Sequence, residues 1–160
     1  MGTDRAVGER YLVRLDEPLH LSARGEWFQG GKPFTNRKVA DLFTRSVIFD
    51  EQAEAWMVAI GPQKAGFTSE DTQVFVVELS EEGMAHLSSD AFKPLARGDF
   101  EVLVTKSNAW CLSSPKLPGV GRARFLPGLQ QQLSEHVVEE LEGRLAVKLP
   151  SCCIELRYER

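Results

Sequence analysis

His136 and Glu140 stand four residues apart in the segment SEHVVEE, and on a helix that spacing sets an imidazole and a carboxylate one turn apart. Such a pair can pass a proton, and Ser134 or a cysteine brought in by the fold could serve as the attacking group. The plainer reading is a boundary pair at the margin of an amphipathic helix. His20 and His86 fall in no metal-recruiting spacing, and two ligands do not make a site, so no metal and no cofactor is expected. The sequence also lacks a Gly-x-Ser-x-Gly turn, a P-loop and a Gly-x-Gly-x-x-Gly run. No catalytic residue is assigned on these grounds.

Anion binding is the second chemistry the residues suggest. Arg24, Lys32, Arg37 and Lys38 cluster with Trp27, Phe28 and Phe34, just where a helix should start after two glycines. Backbone amides at a helix N-terminus and guanidinium groups attract negative charge, and aromatic rings can wall a site. Trp27, Lys32, Asn36 and Arg37 are therefore the candidate binding residues of this region. Arg122 and Arg124, in PGVGRARFLPG ahead of a second helix, are the corresponding candidates further along. The competing reading makes Trp27 and Phe34 core residues with solvated basic neighbours.

The elements that must position these groups follow one grammar, written twice. Leu19 and Leu21 alternate with polar neighbours, Arg24-Gly25 turns the chain, and Trp27-Phe28 resumes an extended stretch. Thr35 and Asn36 are candidate N-caps for a helix from Arg37 to Val47, whose Val39, Leu42, Phe43 and Val47 share a face. Strands are expected over 55–60 and 72–79, with a polar loop over 61–71. The second copy repeats the order: FEVLVT, a Ser107-Asn108 turn, Trp110, a helix, then RLAVKL and CCIELRYE as strands. Its helix is marked by Leu129, Leu133, Val137 and Leu141, with Pro127 in its first turn and Gly143 at its stop. The expected fold is α+β, built from duplicated hairpin-helix-hairpin units with largely antiparallel sheets and one packed helix each. Residues 1–10 are expected to be a flexible N-terminus, 11–80 the first repeat, 81–95 a connector and 96–160 the second repeat, the two repeats packed as one unit.

A chain of 160 residues with 42% hydrophobic and 26% charged residues can bury a core of its own. The net charge of −4, with both signs interspersed, argues against nucleic acid as a partner. No apolar run is long enough for a membrane span, and MGTDRAVGER has neither the apolar core of a signal peptide nor a myristoylation signal, so a cytoplasmic protein is expected. The cysteines are Cys111, Cys152 and Cys153. The last two are adjacent, so on a strand they point to opposite faces and a bridge between them would be strained.

The run ARGEWFQGGKPFTNRKVADLF, followed by AWMVAI and EDTQVFVVEL, resembles the signature of the bacterial family called domain of unknown function 1285. Gly25, Trp27, Gly31, Pro33, Arg37, Leu42, Phe43, Glu70, Asp71 and Phe75 occupy the places of that pattern. The similarity covers Arg24 to Leu79, and the chain after the second helix departs from the family's glycine-rich ending. The resemblance implies an α+β protein of duplicated units, the later one like a pleckstrin-homology-type sheet, in a family whose function is not established and for which ligand-responsive signalling is a conjecture. It supplies no catalytic residues.

Three functional readings compete. The leading one is a non-catalytic binding or signalling module that uses the seam between the repeats to hold a small anionic ligand or a protein partner. The second is a small enzyme built on His136 and Glu140. The third is a self-association or interaction protein, a homodimer for instance, that pairs through an edge strand, with CCIELRYE as the expected edge.

Overall fold

A computed structural model of the chain describes residues 17–159, so the expectation for residues 1–10 lies outside the described residues. The chain divides into two compact units, one ending at Glu70 and the other beginning at Asp71. The fold is α+β, mostly sheet, with two α-helices among the described residues.

The first unit opens with strand β1 (Leu19–Leu21), whose two leucines are buried while His20 between them is half-exposed, the alternation of a strand with one covered face. Ser22 turns the chain by accepting the N–H groups of Arg24 and Glu26 on its hydroxyl at 3.2 and 3.0 Å. Strand β2 (Trp27–Gln29) then runs back antiparallel, with Trp27 opposite Leu21. Gly30 and Gly31, at φ +58° and +81°, form a two-residue turn that side chains would strain, and strand β3 (Lys32–Pro33) pairs with β2 across it.

Helix α1 (Arg37–Arg45) begins where Asn36 caps it, the Asn36 Oδ1 accepting the N–H groups of Lys38 and Val39 at 2.9 and 3.2 Å. Phe43 is its buried residue. Strands β4 (Val47–Asp50), β5 (Ala55–Ile60) and β6 (Gln63–Gly66) form an antiparallel sheet of three. Directly after β6, strand β7 (Thr68–Ser69) pairs parallel with β1, completing a four-stranded sheet. The core of the unit is aromatic: Trp27 meets Phe43 and Phe67 edge-on at 5.8 and 5.1 Å between centroids, and Phe34 meets Phe43 at 4.9 Å.

The second unit is one sheet of eight strands. In chain order these are β8 (Phe75–Leu79), β9 (Ala85–Leu87), β10 (Glu101–Val104), β11 (Trp110–Ser113), β12 (Arg122–Phe125), β13 (Val137–Glu139), β14 (Leu145–Lys148) and β15 (Cys153–Tyr158). Their spatial order is β13-β14-β15-β10-β11-β12-β8-β9, and the two ends are not paired with each other, so the sheet is no closed barrel. The β10–β15 and β12–β8 pairs are parallel and the remainder antiparallel. Helix α2 (Pro127–Ser134) starts at Pro127, which has no N–H to leave unpaired, and buries Leu133.

Several expectations are corrected here. Strand β8 and residues 81–95, expected to close the first repeat and to connect the two, belong to the second unit and its sheet. The loop expected over 61–71 carries β6 and β7. Helix α2 stops at Ser134, because His136 donates its N–H to the Leu133 carbonyl and gives its own carbonyl to Lys148 of β14, and the β-branched Val137 and Val138 join the ladder. His136 and Glu140 therefore flank a strand and are not stacked on one helix. CCIELRYE lies inside the sheet, with β14 on one side and β10 on the other, and is no edge.

Candidate functional site

The tight β2–β3 turn and the start of α1 enclose an open recess of about 260 Å³ in the first unit, lined by Gln29, Lys32, Pro33, Phe34, Thr35, Asn36 and Val39. Phe34 is half-buried and backed by the Phe43 and Trp27 rings, so an aromatic surface forms one wall. Lys32 is exposed at the turn. Arg37 and Lys38, the first residues of α1, are also exposed. Asn36 lines the recess but spends its Oδ1 on the cap, so the amides of Lys38 and Val39 are already satisfied. What remains to attract an anion is side-chain charge.

The sequence-derived candidates thus separate. Lys32 and Asn36 share the recess and Arg37 follows it in the chain. Trp27 is 2% exposed, with its indole N–H bound to Thr44, so it supports Phe34 from the core and offers no surface to a ligand. Arg122 and Arg124 lie on the same face of β12 in the other unit, where Glu159 pairs with Arg122 at 3.6 Å and Asp71 with Arg124 at 2.9 Å. Their charge is compensated.

Two further places were invisible to local sequence reasoning. His20 of β1 meets Thr68 Oγ1 of β7 through Nδ1 at 2.7 Å and Glu70 Oε2 through Nε2 at 3.7 Å, while Glu70 Oε1 accepts the Ala23 N–H at 2.8 Å. A hydroxyl, an imidazole and a carboxylate stand in line, the order a nucleophile and its base require. None of the three lines the recess, and the array spans the two-residue parallel pairing of β1 with β7, which it clamps. In the second unit a larger hollow of about 470 Å³ lies between the start of β14 and the end of β15, beside Arg144, Leu145, Arg157 and Tyr158. Its cations are paired, Arg144 with Glu142 at 3.3 Å and Arg157 with Glu101 at 3.8 Å.

Two ionisable groups are displaced from their ordinary range, neither in the recess. N–H donation from Ala53 and the Lys64 ammonium hold the Asp50 carboxyl low. Burial, reinforced by the Asp71 charge, pushes the Cys111 thiol up. Among the described residues no three His, Cys, Asp or Glu side chains gather as a metal site. No helix of the described residues is long and apolar enough to cross a membrane.

Among solved structures, the crystal structure at 2.50 Å of a DUF1285 family protein from Silicibacter pomeroyi DSS-3 superposes with a TM-score of 0.57, over 89% of this chain and 80% of that one, at 13% identity. The chain has the fold of a DUF1285 family protein. A second such protein, from Shewanella baltica OS155, aligns over 76% of this chain and 94% of its own, at 12% identity and a TM-score of 0.47. No family model and no curated protein matches the sequence. The DUF1285 fold is thus reached here with few residues in common, and the family's name carries no activity.

Proposed function

We propose that the chain is a non-catalytic binding module whose first unit takes an anionic group, from a small ligand or a protein partner, at the recess beside Phe34. One contrast carries this reading. Lys64, Lys116, Arg122, Arg124, Arg144 and Arg157 each have an acidic partner, and of the described cations that make no ion pair, Arg24, Lys93, Arg97, Lys106 and Lys148 are scattered along the chain whereas Lys32, Arg37 and Lys38 gather at one turn and helix start, although Asp41 stands on the same short helix. Three uncompensated cations within seven residues, in a chain of net charge −4, repel one another unless an anion joins them. The recess is smaller than the ~300–1,000 Å³ of enclosing small-molecule pockets, which suits a carboxylate or phosphate presented by a larger body.

The duplication is part of the same proposal. In the first unit β1, β2 and β3 precede α1 and three further strands, the last continuing into β7, which returns parallel to β1. In the second, β10, β11 and β12 precede α2 and three strands, and β15 returns parallel to β10. Trp27 and Trp110 take the same register, opposite Leu21 and Val104. We read these as copies of one motif, the first of which gathers Lys32, Arg37 and Lys38 unpaired within seven residues. A cytoplasmic setting and a ligand-responsive signalling role belong to this reading, and the three free thiols are in keeping with a reducing compartment.

The test is a thermal-shift titration with phosphate, citrate, a nucleoside triphosphate and an acidic peptide, for the unsubstituted chain and for Lys32→Glu/Arg37→Glu. An anion that binds the folded form stabilises it by about 2.7 kcal/mol at a hundredfold excess over Kd, and the double variant should lose that response. The reading fails if no anion raises the Tm, or if the variant responds as the parent does.

A further inference from the structure

A sheet of eight strands has two edges, and this molecule treats them differently. At the β9 edge the chain covers itself, Ala85 and Leu95 exchanging N–H···O bonds of 2.8 and 2.9 Å. At the β13 edge no strand of the described residues follows. Lys148 N–H to His136 O at 2.8 Å and Glu140 N–H to Arg144 O at 2.7 Å show that residues 136, 138 and 140 turn their backbone groups inward to β14. Val137 and Glu139 consequently direct theirs outward, and none of the described residues bonds them.

An open edge is normally blunted by like charges, by proline or by a covering segment. Glu135 and Glu139 carry like charge on one face of this edge, but the row on the other face is of another kind. His136, Val138 and Glu140 fall on one face of the strand, Val138 is 37% exposed, and Leu141 just beyond is 89% exposed. An apolar centre flanked by a base and an acid is self-complementary.

We propose that β13 pairs antiparallel with β13 of a second copy of this chain about a twofold axis at Val138. Val137 then stands opposite Glu139 of the second copy, and their outward groups exchange N–H···O bonds in two reciprocal pairs. Val138 meets its own copy at the closest side-chain approach, and His136 meets Glu140 of the second copy. Lys148 of β14 and Arg144, which precedes β14 and is paired with Glu142, extend that row on either side, so the order across it is base, His136, acid, base. Charge fixes the register: an axis at Val137 would face Glu135 with Glu139, and an axis at Glu139 would face that residue with itself. A contact of this size belongs to the weak, transient class.

Sedimentation velocity of the full chain over a wide concentration range tests this. The expected result is a reversible monomer–dimer equilibrium, with Kd raised roughly tenfold or more by Val138→Lys and by either Glu140→Lys or His136→Glu alone. The double exchange His136→Glu/Glu140→Lys restores opposite charges across the axis and should recover most of the association. All three positions changed are on the surface, and an unaltered urea midpoint for each variant confirms that it folds. Lys32→Glu should leave the equilibrium unchanged, which separates this contact from the anion recess. A monomer at every concentration, a dimer indifferent to Val138→Lys, or a double exchange that recovers nothing overturns the proposal.

Discussion

The indole N–H of Trp27 donates to Thr44 Oγ1 at 2.9 Å, tying β2 to the third turn of α1. The bond lets a large polar-tipped ring sit 2% exposed among Phe34, Phe43 and Phe67 without an unpaired donor. Thr44→Val should cost about 1 kcal/mol, near the lower end for a stranded donor because Thr44 itself is half-buried. Trp27→Ala removes the ring as well and should cost about 3–5 kcal/mol. Urea unfolding measures both, and a midpoint for Thr44→Val equal to the parent's would mean that the N–H finds another partner.

Asn36 serves the helix first and the recess second. Asn36→Ala should lose about 1 kcal/mol of stability, whereas Asn36→Asp or Asn36→Ser keeps a side-chain acceptor and should stay close to the parent. Removing the cap also frees the Lys38 and Val39 amides beside the proposed anion site. Phosphate affinity of the alanine variant should therefore hold or rise while stability falls. A parallel loss of both in denaturation and titration would mean that Asn36 holds the ligand directly.

What could be read in the sequence was local. Both Trp-bearing hairpins, the N-cap at Asn36 and strands β5, β14 and β15 follow from turn residues and short periodicities. The nearness of Lys32 and Asn36 was legible for the same reason, since they lie four residues apart around one turn and one cap, whereas the recess they line lies within the first unit and not at the expected seam between repeats. Pairings at a distance were not legible. The polar stretch before Glu70 becomes strand only because Thr68 and Ser69 meet His20 and Leu21, nearly fifty residues away. Arg122 and Arg124 look free in sequence because their partners, Glu159 and Asp71, are remote. The repeat Leu129, Leu133, Val137, Leu141 mimics a single helix, although the β-branched pair Val137-Val138 lies within it and prefers the ladder it finds on β14.

The three thiols should differ sharply in reactivity. Cys153 is exposed, Cys152 is half-buried with its Sγ 3.8 Å from the Glu81 carbonyl, and Cys111 is buried in the sheet. Iodoacetamide followed by mass spectrometry should label Cys153 first and Cys111 only on unfolding. Because burial raises the folded pKa of Cys111 above its ordinary value of 9.0, the unfolded thiol ionises first as pH climbs. The unfolded chain then binds fewer protons than the native one, so stability should fall above about pH 9, and Cys111→Ala should remove that component. For Asp50 the sign is reversed: its lowered pKa contributes stability above the ordinary value of 3.8 that is lost as pH drops through the folded value, and Asp50→Asn should flatten the acid limb. Tm against pH for the two variants checks both limbs.

The end of α2 sets two leucines of one sequence repeat in opposite environments. Leu133 is 5% exposed on the inner side of the helix, and Leu141 is 89% exposed in the short 3-10 turn at 141–143. A helix running on to Gly143 would place both on one buried stripe and make their truncations similarly costly. With the helix ending at Ser134, Leu133→Ala should cost about 2–5 kcal/mol and Leu141→Ala no more than about 0.5 kcal/mol. The measurement belongs at low protein concentration, where association through β13 does not contribute to the unfolding midpoint. Equal losses for the two variants would restore the long helix and with it the stacking of His136 on Glu140. A loss confined to Leu133 leaves those two side chains flanking a strand, each exposed, with no shared site between them.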